Sequence, residues 1–369
     1  MTRWTITALD TFEQFQALAG EWNDLLRDSQ IENIFLRHEW LTEWWRHYGA
    51  EFEVWTLVAH DATGALAGIA PLMRTRRGAR CVLWMGGAFV SPNHLDFILR
   101  EKTPELVEAF CAFLLARRGE WDWLDLNKLP AQSPTREWLI AALRARRVFV
   151  RSAESARCPF TQLPSSFEAY LQMLGRRTRK DFRQDTRRLA SDYPEAMSRR
   201  VQTPAELEDV FSAFVALHQA RFKERDEPGS FADARFVAFH RAAALRGLEH
   251  GTLQLDYLKI GDEYVAIDYA YRLGRTVLGY SATFNLQWAK YSAGIVMLGR
   301  TLERAIAEGV QVYDFLEGEE DYKAHWAHNV SADWRVRAIS PHWRGGLMWL
   351  GWYLPRLLKK ISSRLARRA

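Results

Sequence analysis

Four short stretches of the chain hold side chains able to do chemistry. Asp268 lies in Val265-Ala266-Ile267-Asp268-Tyr269-Ala270-Tyr271, a run with strand character. A carboxylate among apolar and aromatic neighbours is desolvated, which raises its pKa toward the range of a general base. Period-2 alternation equally permits a solvated outward face. His218 sits on an apolar helical stretch with Val215, Leu217 and Phe222, and Arg221 follows one turn later. It reads either as a second base or as a half-buried packing residue. Ser292-Ala293-Gly294, just after Lys290, stands between a strand and a helix. Small residues there let backbone N–H groups approach an anion that the helix dipole favours, although Ser and Gly also start helices as ordinary caps. The fourth stretch runs from Tyr313-Asp314-Phe315 through Glu317, Gly318, Glu320 and Asp321 to Tyr322-Lys323 and Trp326. A strand end there meets an acidic loop, then one lysine set among aromatic rings. Strand ends beside loops are where α/β sheets place ligands, and Glu317 is a third candidate base. The alternative is an exposed acidic turn ahead of a helix.

These residues need a frame to bring them together, and the rest of the chain supplies the pattern of one. At 369 residues the sequence exceeds what a single core usually organises, so two domains are expected. Phe12, Phe15, Leu18, Trp22, Leu25 and Leu26 recur at helical spacing, and Phe35 to Tyr48 repeats the pattern with Trp40, Leu41, Trp44 and Trp45. A hairpin over Val54–Ala59 and Leu66–Arg74 turns at Asp61-Ala62-Thr63-Gly64. Strands at Cys81–Met85, His94–Leu99 and Trp123–Leu126 alternate with helices over about Pro104–Arg118 and Pro134–Arg146. The second half follows the same grammar. Helices cover about Ser166–Asp192, Pro204–Arg225 and Ala232–Arg246, and a three-strand meander covers Leu253–Ile260, Tyr264–Leu273 and Thr276–Thr283. A loop at Asn285–Gly294, a helix at Ile295–Glu308 and a strand at Val312–Leu316 complete it. The expected division is 1–155, 156–340 and a tail at 341–369, with Cys158-Pro159 and Leu163-Pro164 as breakers near the first border.

Composition removes several classes. Cys81, Cys111 and Cys158 form no CxxC pair and no zinc-like spacing with histidine, so neither a disulfide framework nor a metal site is expected. The glycine runs of P-loop and dinucleotide-binding folds are missing. The net charge of +5 is local: Trp334–Ala369 holds nine Lys or Arg and no acid, so the remaining 41 bases face 45 acids. That argues against nucleic-acid binding by the chain as a whole. The N-terminus lacks the apolar run of a signal peptide and no stretch reads as a spanning helix, so a cytoplasmic setting is expected. In the tail, Trp343, Leu347, Trp349, Trp352 and Leu354 sit among Arg344, Arg356, Lys359 and Lys360. This composition suits either an interfacial helix on anionic lipid or a docked helix with a basic end.

Three stretches together resemble the CelD-like acetyltransferase family, relatives of the FemAB peptidoglycan amino-acid transferases within the GNAT acyltransferase fold. They are Phe35-Leu36-Arg37-His38-Glu39-Trp40-Leu41-Thr42-Glu43-Trp44-Trp45, the Leu217-His218-x-x-Arg221 element, and the Ser292-x-Gly294 turn with Asp314-Phe315-x-x-Gly318-x-Glu320-x-Tyr322-Lys323-x-x-Trp326. The resemblance implies an α/β fold of tandem GNAT-like domains, each a mixed sheet flanked by helices, with the donor site in the second. It implies no resident cofactor. The co-substrate would be acetyl-CoA or another acyl-CoA, bordered by Lys290, Ser292, Ala293 and Gly294. Asp268, His218 or Glu317 would act as base, and Arg221, Glu320, Tyr322 and Lys323 would contact an amine or hydroxyl acceptor, as in envelope or exopolysaccharide synthesis. The usual Gln/Arg-x-x-Gly-x-Gly/Ala run is replaced by Gln287-x-x-Lys290-x-Ser292. The donor therefore stays open between coenzyme A and the aminoacyl-tRNA of FemAB relatives, for which the basic cluster Arg176–Arg188 would be the contact. A scaffold that keeps the fold without the chemistry is the remaining alternative.

Overall fold

The structure is a computed structural model that describes residues 3–347 apart from 225 and 319. They form two compact units. One contains Tyr48–Ser155 with the chain before Glu32 and after Ala332; the other contains Glu32–His47 and Ala156–Ala332. The border falls inside two strands, Val150–Gln162 and Asn329–Ile339. The early aromatic segment Glu32–His47 thus packs with residues more than a hundred positions downstream.

The first unit carries an antiparallel sheet ordered Thr5–Leu9, Thr56–His60, Leu66–Ala70 and Ile98–Leu99. Its other strands run in the order Trp123–Pro130, Cys81–Trp84, Leu72–Thr75 and Phe52–Val54. Only Cys81–Trp84 and Trp123–Pro130 are parallel, and the helix Pro104–Ala116 lies in the crossover such a pair requires. The strand expected at His94–Leu99 contracts to Ile98–Leu99. His94 adopts φ +58°, and its backbone N–H and Nδ1 reach the Asp333 carboxylate at 3.0 and 2.7 Å. The Asn93 amide adds a third bond at 3.1 Å. A buried carboxylate must be hydrogen-bonded, and gathering those donors takes the backbone out of the ladder.

The second unit is built on strands ordered Met197–Arg200, Leu253–Ile260, Glu263–Leu273, Thr276–Phe284, Val312–Asp314 and the end of Val150–Gln162. Glycines with positive φ, Gly261 at +56° and Gly274 at +59°, make the tight turns of the meander. Alternation along Glu263–Leu273 assigns its two faces. Ala266 and Ala270 pack with Val296, Met297, Leu298 and Leu302 of the helix Ala293–Ala307. Tyr269, on the other face, meets Phe211 and Phe214 of the helix Pro204–Glu224. The single helix expected over Ser166–Asp192 is two, Phe167–Met173 and Arg176–Asp192. Ser166 caps the first, and the chain is extended at Leu174 before it restarts. Gly299 lets the Phe182 ring of the second lie against the helix Ala293–Ala307, where any Cβ would collide with it.

No helix among the described residues is long and apolar enough to cross a membrane. Trp343 and Leu347 are exposed; the rest of the expected interfacial segment, from Trp349 on, lies outside the described residues.

Candidate active site

The site begins where two strands part. Thr276–Phe284 and Val312–Asp314 run parallel and pair only over Thr276–Leu278. Beyond Leu278 the edge of the first strand, from Gly279 to Phe284, has no strand partner on that side among the described residues. The parting coincides with a bulge: Ala270 opposes Gly279 while Tyr269 opposes Ser281, so Tyr280 is an extra residue in its strand. A bulge bends its strand and increases the local twist. At Gly279 a Cβ would press on the Tyr313 hydroxyl at 3.0 Å and on its ring at 3.1 Å.

A cavity of about 750 Å³ fills the gap. Its walls come from both faces of the sheet, which is possible only where the sheet is split. His218, Arg221 and Phe222 line it from the helix Pro204–Glu224, and Ser292, Gly294, Met297 and Leu298 line it from the opposite helix. Gly279 to Phe284 form the strand edge, and Glu317, Glu320, Tyr322 and Lys323 close the remaining side. Volume and mixed lining are those of a small-molecule site.

The helix Ala293–Ala307 points its N-terminus at this cavity. Ser292 is left-handed, φ +50° and ψ +41°, and its side chain makes no capping bond. Its carbonyl accepts from the N–H groups of Ile295 and Val296 at 2.8 and 3.0 Å. The N–H groups of Ala293 and Gly294 have no protein acceptor among the described residues. A helix start left open in this way, with the positive end of its dipole at a cavity, is suited to an anion. Lys290 does not line the cavity; it is exposed, with Nζ 4.9 Å over the Tyr291 ring. Ala293 is buried within the helix packing.

The acidic loop is organised around a buried cation. Lys323 is 5% exposed and donates to the Glu317 carbonyl and the Glu320 carboxylate, each at 3.0 Å. Gly318 lies so close to this pair that a Cβ would collide with both side chains. Leu316, at φ +55°, donates its N–H to the Asp314 carboxylate at 2.8 Å, which turns the chain from strand into loop. The Tyr322 ring lines the cavity, and burial pushes its phenol up, so it is protonated at neutral pH.

Burial shifts two ionisable groups on the walls, in opposite directions. Asp268 is 4% exposed, and burial, with the negative charge of Asp256 opposite, raises its pKa to about 7. The Tyr313 hydroxyl donates to Asp268 Oδ2 at 3.2 Å. A carboxyl poised near neutrality on a cavity wall can accept a proton there. Burial, helped by Arg221, lowers His218 to about 4, so its ring is neutral. It stacks on Phe222 at 4.5 Å between centroids, and its Nδ1 is buried without a hydrogen-bond partner. Arg221 lies over the Phe284 ring at 4.6 Å and donates to the Ala282 carbonyl at 3.2 Å. Asp268 and His218 approach from opposite faces of the sheet.

Of the residues singled out in the sequence, Asp268, His218, Glu317, Ser292, Gly294, Arg221, Glu320, Tyr322 and Lys323 converge on this one cavity. Sequence pattern does not single out Tyr280 or Phe284, which also line it, and reads Phe222, a further lining residue, only as part of an apolar helical stretch. Gly279-Tyr280-Ser281 reads as uninterrupted strand; the small residues flanking a tyrosine are the one trace of the bulge.

Residues 176–324 match the family model described as an acetyltransferase (GNAT) domain. Among solved structures, FemX superposes with a TM-score of 0.64 at 10% identity, over 89% of this chain and 96% of its own. L-PGS from Bacillus licheniformis gives a TM-score of 0.53 at 10% identity, over 90% of this chain and 93% of its own. No curated protein matches in sequence. The fold is thus α/β of the GNAT class, mixed sheets flanked by helices.

Proposed function

We propose that the chain is an acyltransferase that moves an acyl group from an acyl-coenzyme A to an amine or hydroxyl acceptor. The observation that carries this reading is the split sheet, whose cavity joins an uncapped helix start, an unpartnered strand edge and Asp268. Each answers one demand of acyl transfer. The donor's phosphates need an anion site, which the uncapped helix start at Ser292 and Gly294, both on the cavity wall, offers. The tetrahedral oxyanion needs a fixed donor, for which the bulged edge around Tyr280 supplies candidate backbone N–H groups. The attacking amine or hydroxyl needs to lose a proton, and Asp268, at about 7, is matched to take it. His218 is neutral and serves as a hydrogen-bond acceptor on the opposite wall. The match to an acetyltransferase domain over 176–324, which includes every one of these residues, supports the assignment.

A second donor, an aminoacyl-ended RNA, is favoured by one separate feature. Arg176, Lys180, Arg183 and Arg187 fall at spacings of four, three and four along one face of the helix Arg176–Asp192. They form a row about 16 Å long at 1.5 Å per residue. Arg183 pairs with Glu168, whereas Arg176, Lys180 and Arg187 have no carboxylate partner among the described residues. The likeness to FemX is compatible with it.

One titration separates the two. With acetyl-coenzyme A, calorimetry is expected to show stoichiometric binding, and hydrogen exchange to slow across residues 285–300. No heat and no protection with acetyl-coenzyme A overturns the coenzyme A reading. Tight tRNA binding that collapses with added salt, and is lost on replacing Arg176, Lys180 and Arg187 by Ala, would then establish the RNA donor.

A further inference from the structure

The aromatic segment near the start of the chain has no place in the chemistry above, yet it belongs to the same unit as the cavity. Its residues touch the strand Thr276–Phe284 at two points. At the turn that begins the strand, the Glu32 carboxylate accepts from the Arg275 N–H at 3.1 Å and from the Thr276 hydroxyl at 2.8 Å. At the bulge, the Tyr280 ring packs edge-on against Phe35 at 6.2 Å and tilted against Trp40 at 6.3 Å. Between these contacts lies the segment of strand that leaves its parallel neighbour.

The Tyr280 hydroxyl is held by a third element. It shares a hydrogen bond of 3.0 Å with Nε2 of His240, on the helix Ala234–Glu249. His240 is fully buried among Phe236, Phe239, Trp40 and Tyr269, and Nδ1 lies 3.4 Å from the Tyr269 hydroxyl. Burial keeps its ring neutral, so it acts here as a fixed hydrogen-bond partner and not as a charge. A fully buried histidine is costly unless its nitrogens are satisfied. The Tyr280 bond satisfies one of them, and this ties the buried face of that helix to the one residue that this ladder leaves unpaired.

We propose that His240 is a positioning residue for the donor cavity, acting through Tyr280, and that Glu32, Phe35 and Trp40 complete the anchor that holds the bulged strand away from Val312–Asp314. The early segment is then a working part of the transfer site, built into its back wall from a remote part of the sequence. A bulge has two ladder registers on either side of it, and a slip by one residue would reverse every side chain beyond it. Fixing the side chain of the extra residue removes that freedom. This inference rests on the donor reading for its function, but its structural content stands apart from it.

The test uses Tyr280→Phe, which removes only the hydroxyl, with His240→Phe and His240→Gln. Amide exchange is measured over Gly279–Phe284 in the unliganded protein, and acetyl-coenzyme A affinity by calorimetry. Tyr280→Phe and His240→Phe are expected to speed exchange locally, over 279–284, and to weaken acetyl-coenzyme A about tenfold, the equivalent of one buried hydrogen bond. The double variant should be no worse than either single one, and His240→Gln, which keeps a hydrogen-bonding group, should recover much of both effects. Unchanged exchange over 279–284 in both Phe variants overturns the anchor, as does a loss spread evenly across the unit that His240→Gln fails to relieve. If the unaltered protein does not bind acetyl-coenzyme A, the donor reading fails, and the exchange data alone decide the anchor.

Discussion

Asp256 and Asp268 stand directly opposite each other on neighbouring strands, both almost wholly buried, in contrasting surroundings. Asp256 belongs to a closed ionic corner. Arg200 reaches it with Nε and Nη2 at 2.8 and 3.2 Å, Arg304 adds Nη1 at 2.6 Å, and Arg200 continues to Glu308 at 2.9 Å. Among the described residues Asp268 has no arginine or lysine bonded to it; it lines the cavity and accepts from the Tyr313 hydroxyl at 3.2 Å. Two carboxylates one strand apart thus diverge by their neighbours alone. The paired one has its charge answered by cations and builds structure; the unpaired one holds its proton near neutrality and is available to a reaction. The charge on the first also helps raise the pKa of the second, so the ionic corner contributes to the tuning of the site.

The widest separation should come from replacing each aspartate by asparagine. Asp268→Asn is expected to lower the rate of thiol release from acetyl-coenzyme A by about 10²- to 10⁴-fold, the range of a lost general base, and to leave the urea midpoint close to that of the parent. Asp256→Asn should act chiefly on stability, and on activity only by moving the Asp268 titration down. It leaves Arg200 and Arg304 without their buried counter-ion, a change that costs about 3–5 kcal/mol, visible as a large fall in midpoint. If Asp268→Asn proves as destabilising as Asp256→Asn while turnover per folded molecule is unaltered, both carboxylates are structural and the contrast dissolves.

A titration sharpens the same contrast. Asp268 holds its proton to about pH 7 in the folded protein, against about 3.9 for an unfolded aspartate. The folded state therefore binds the proton more tightly. The stability this provides is fully present below about pH 4 and fades as the pH rises through about 7. The base form that the reaction uses grows over the same interval. Stability should therefore decline from pH 4 to 8 while kcat/KM climbs with an inflection near 7, and Asp268→Asn should remove this component from the stability profile. Parallel profiles, or an inflection that survives the substitution, would assign the titration to another group.

Much of this frame can be read in the sequence, and the limits are instructive. Turn glycines and hydrophobic period locate the meander, because both depend on neighbours in the chain. The helix start beside Ser292 is equally local, and Ala293 opens it in the structure. Asp268 is ambiguous in sequence because alternation assigns a residue to a face but not to a buried or a wet one; the packing of the helix Ala293–Ala307 decides that. The bulge at Tyr280 is invisible for a related reason. It is a relation between two strands, and neither strand records it alone. His240 reads as one more helical residue until Tyr280, forty positions on, meets it. The helix break at Leu174-Gly175 and the shortened strand before Ile98 likewise depend on contacts made after folding.

The finest probe of the contrast is Tyr313→Phe, which deletes the one phenol that attends Asp268 and leaves the ionic corner untouched. The Tyr313 hydroxyl donates to Asp268 and so favours the ionised form. Without it the carboxyl should hold its proton to still higher pH, and the inflection in kcat/KM should move up, not down. At pH 7 the variant would be a few-fold slower, and at pH 9 it should approach the parent rate, because the base itself is intact. Stability should change by only about 1 kcal/mol, the usual net value of one hydrogen bond. The direction is the decisive part. A downward shift would mean that Tyr313 stabilises the protonated acid, and Asp268 would then donate a proton at neutral pH where a base was expected.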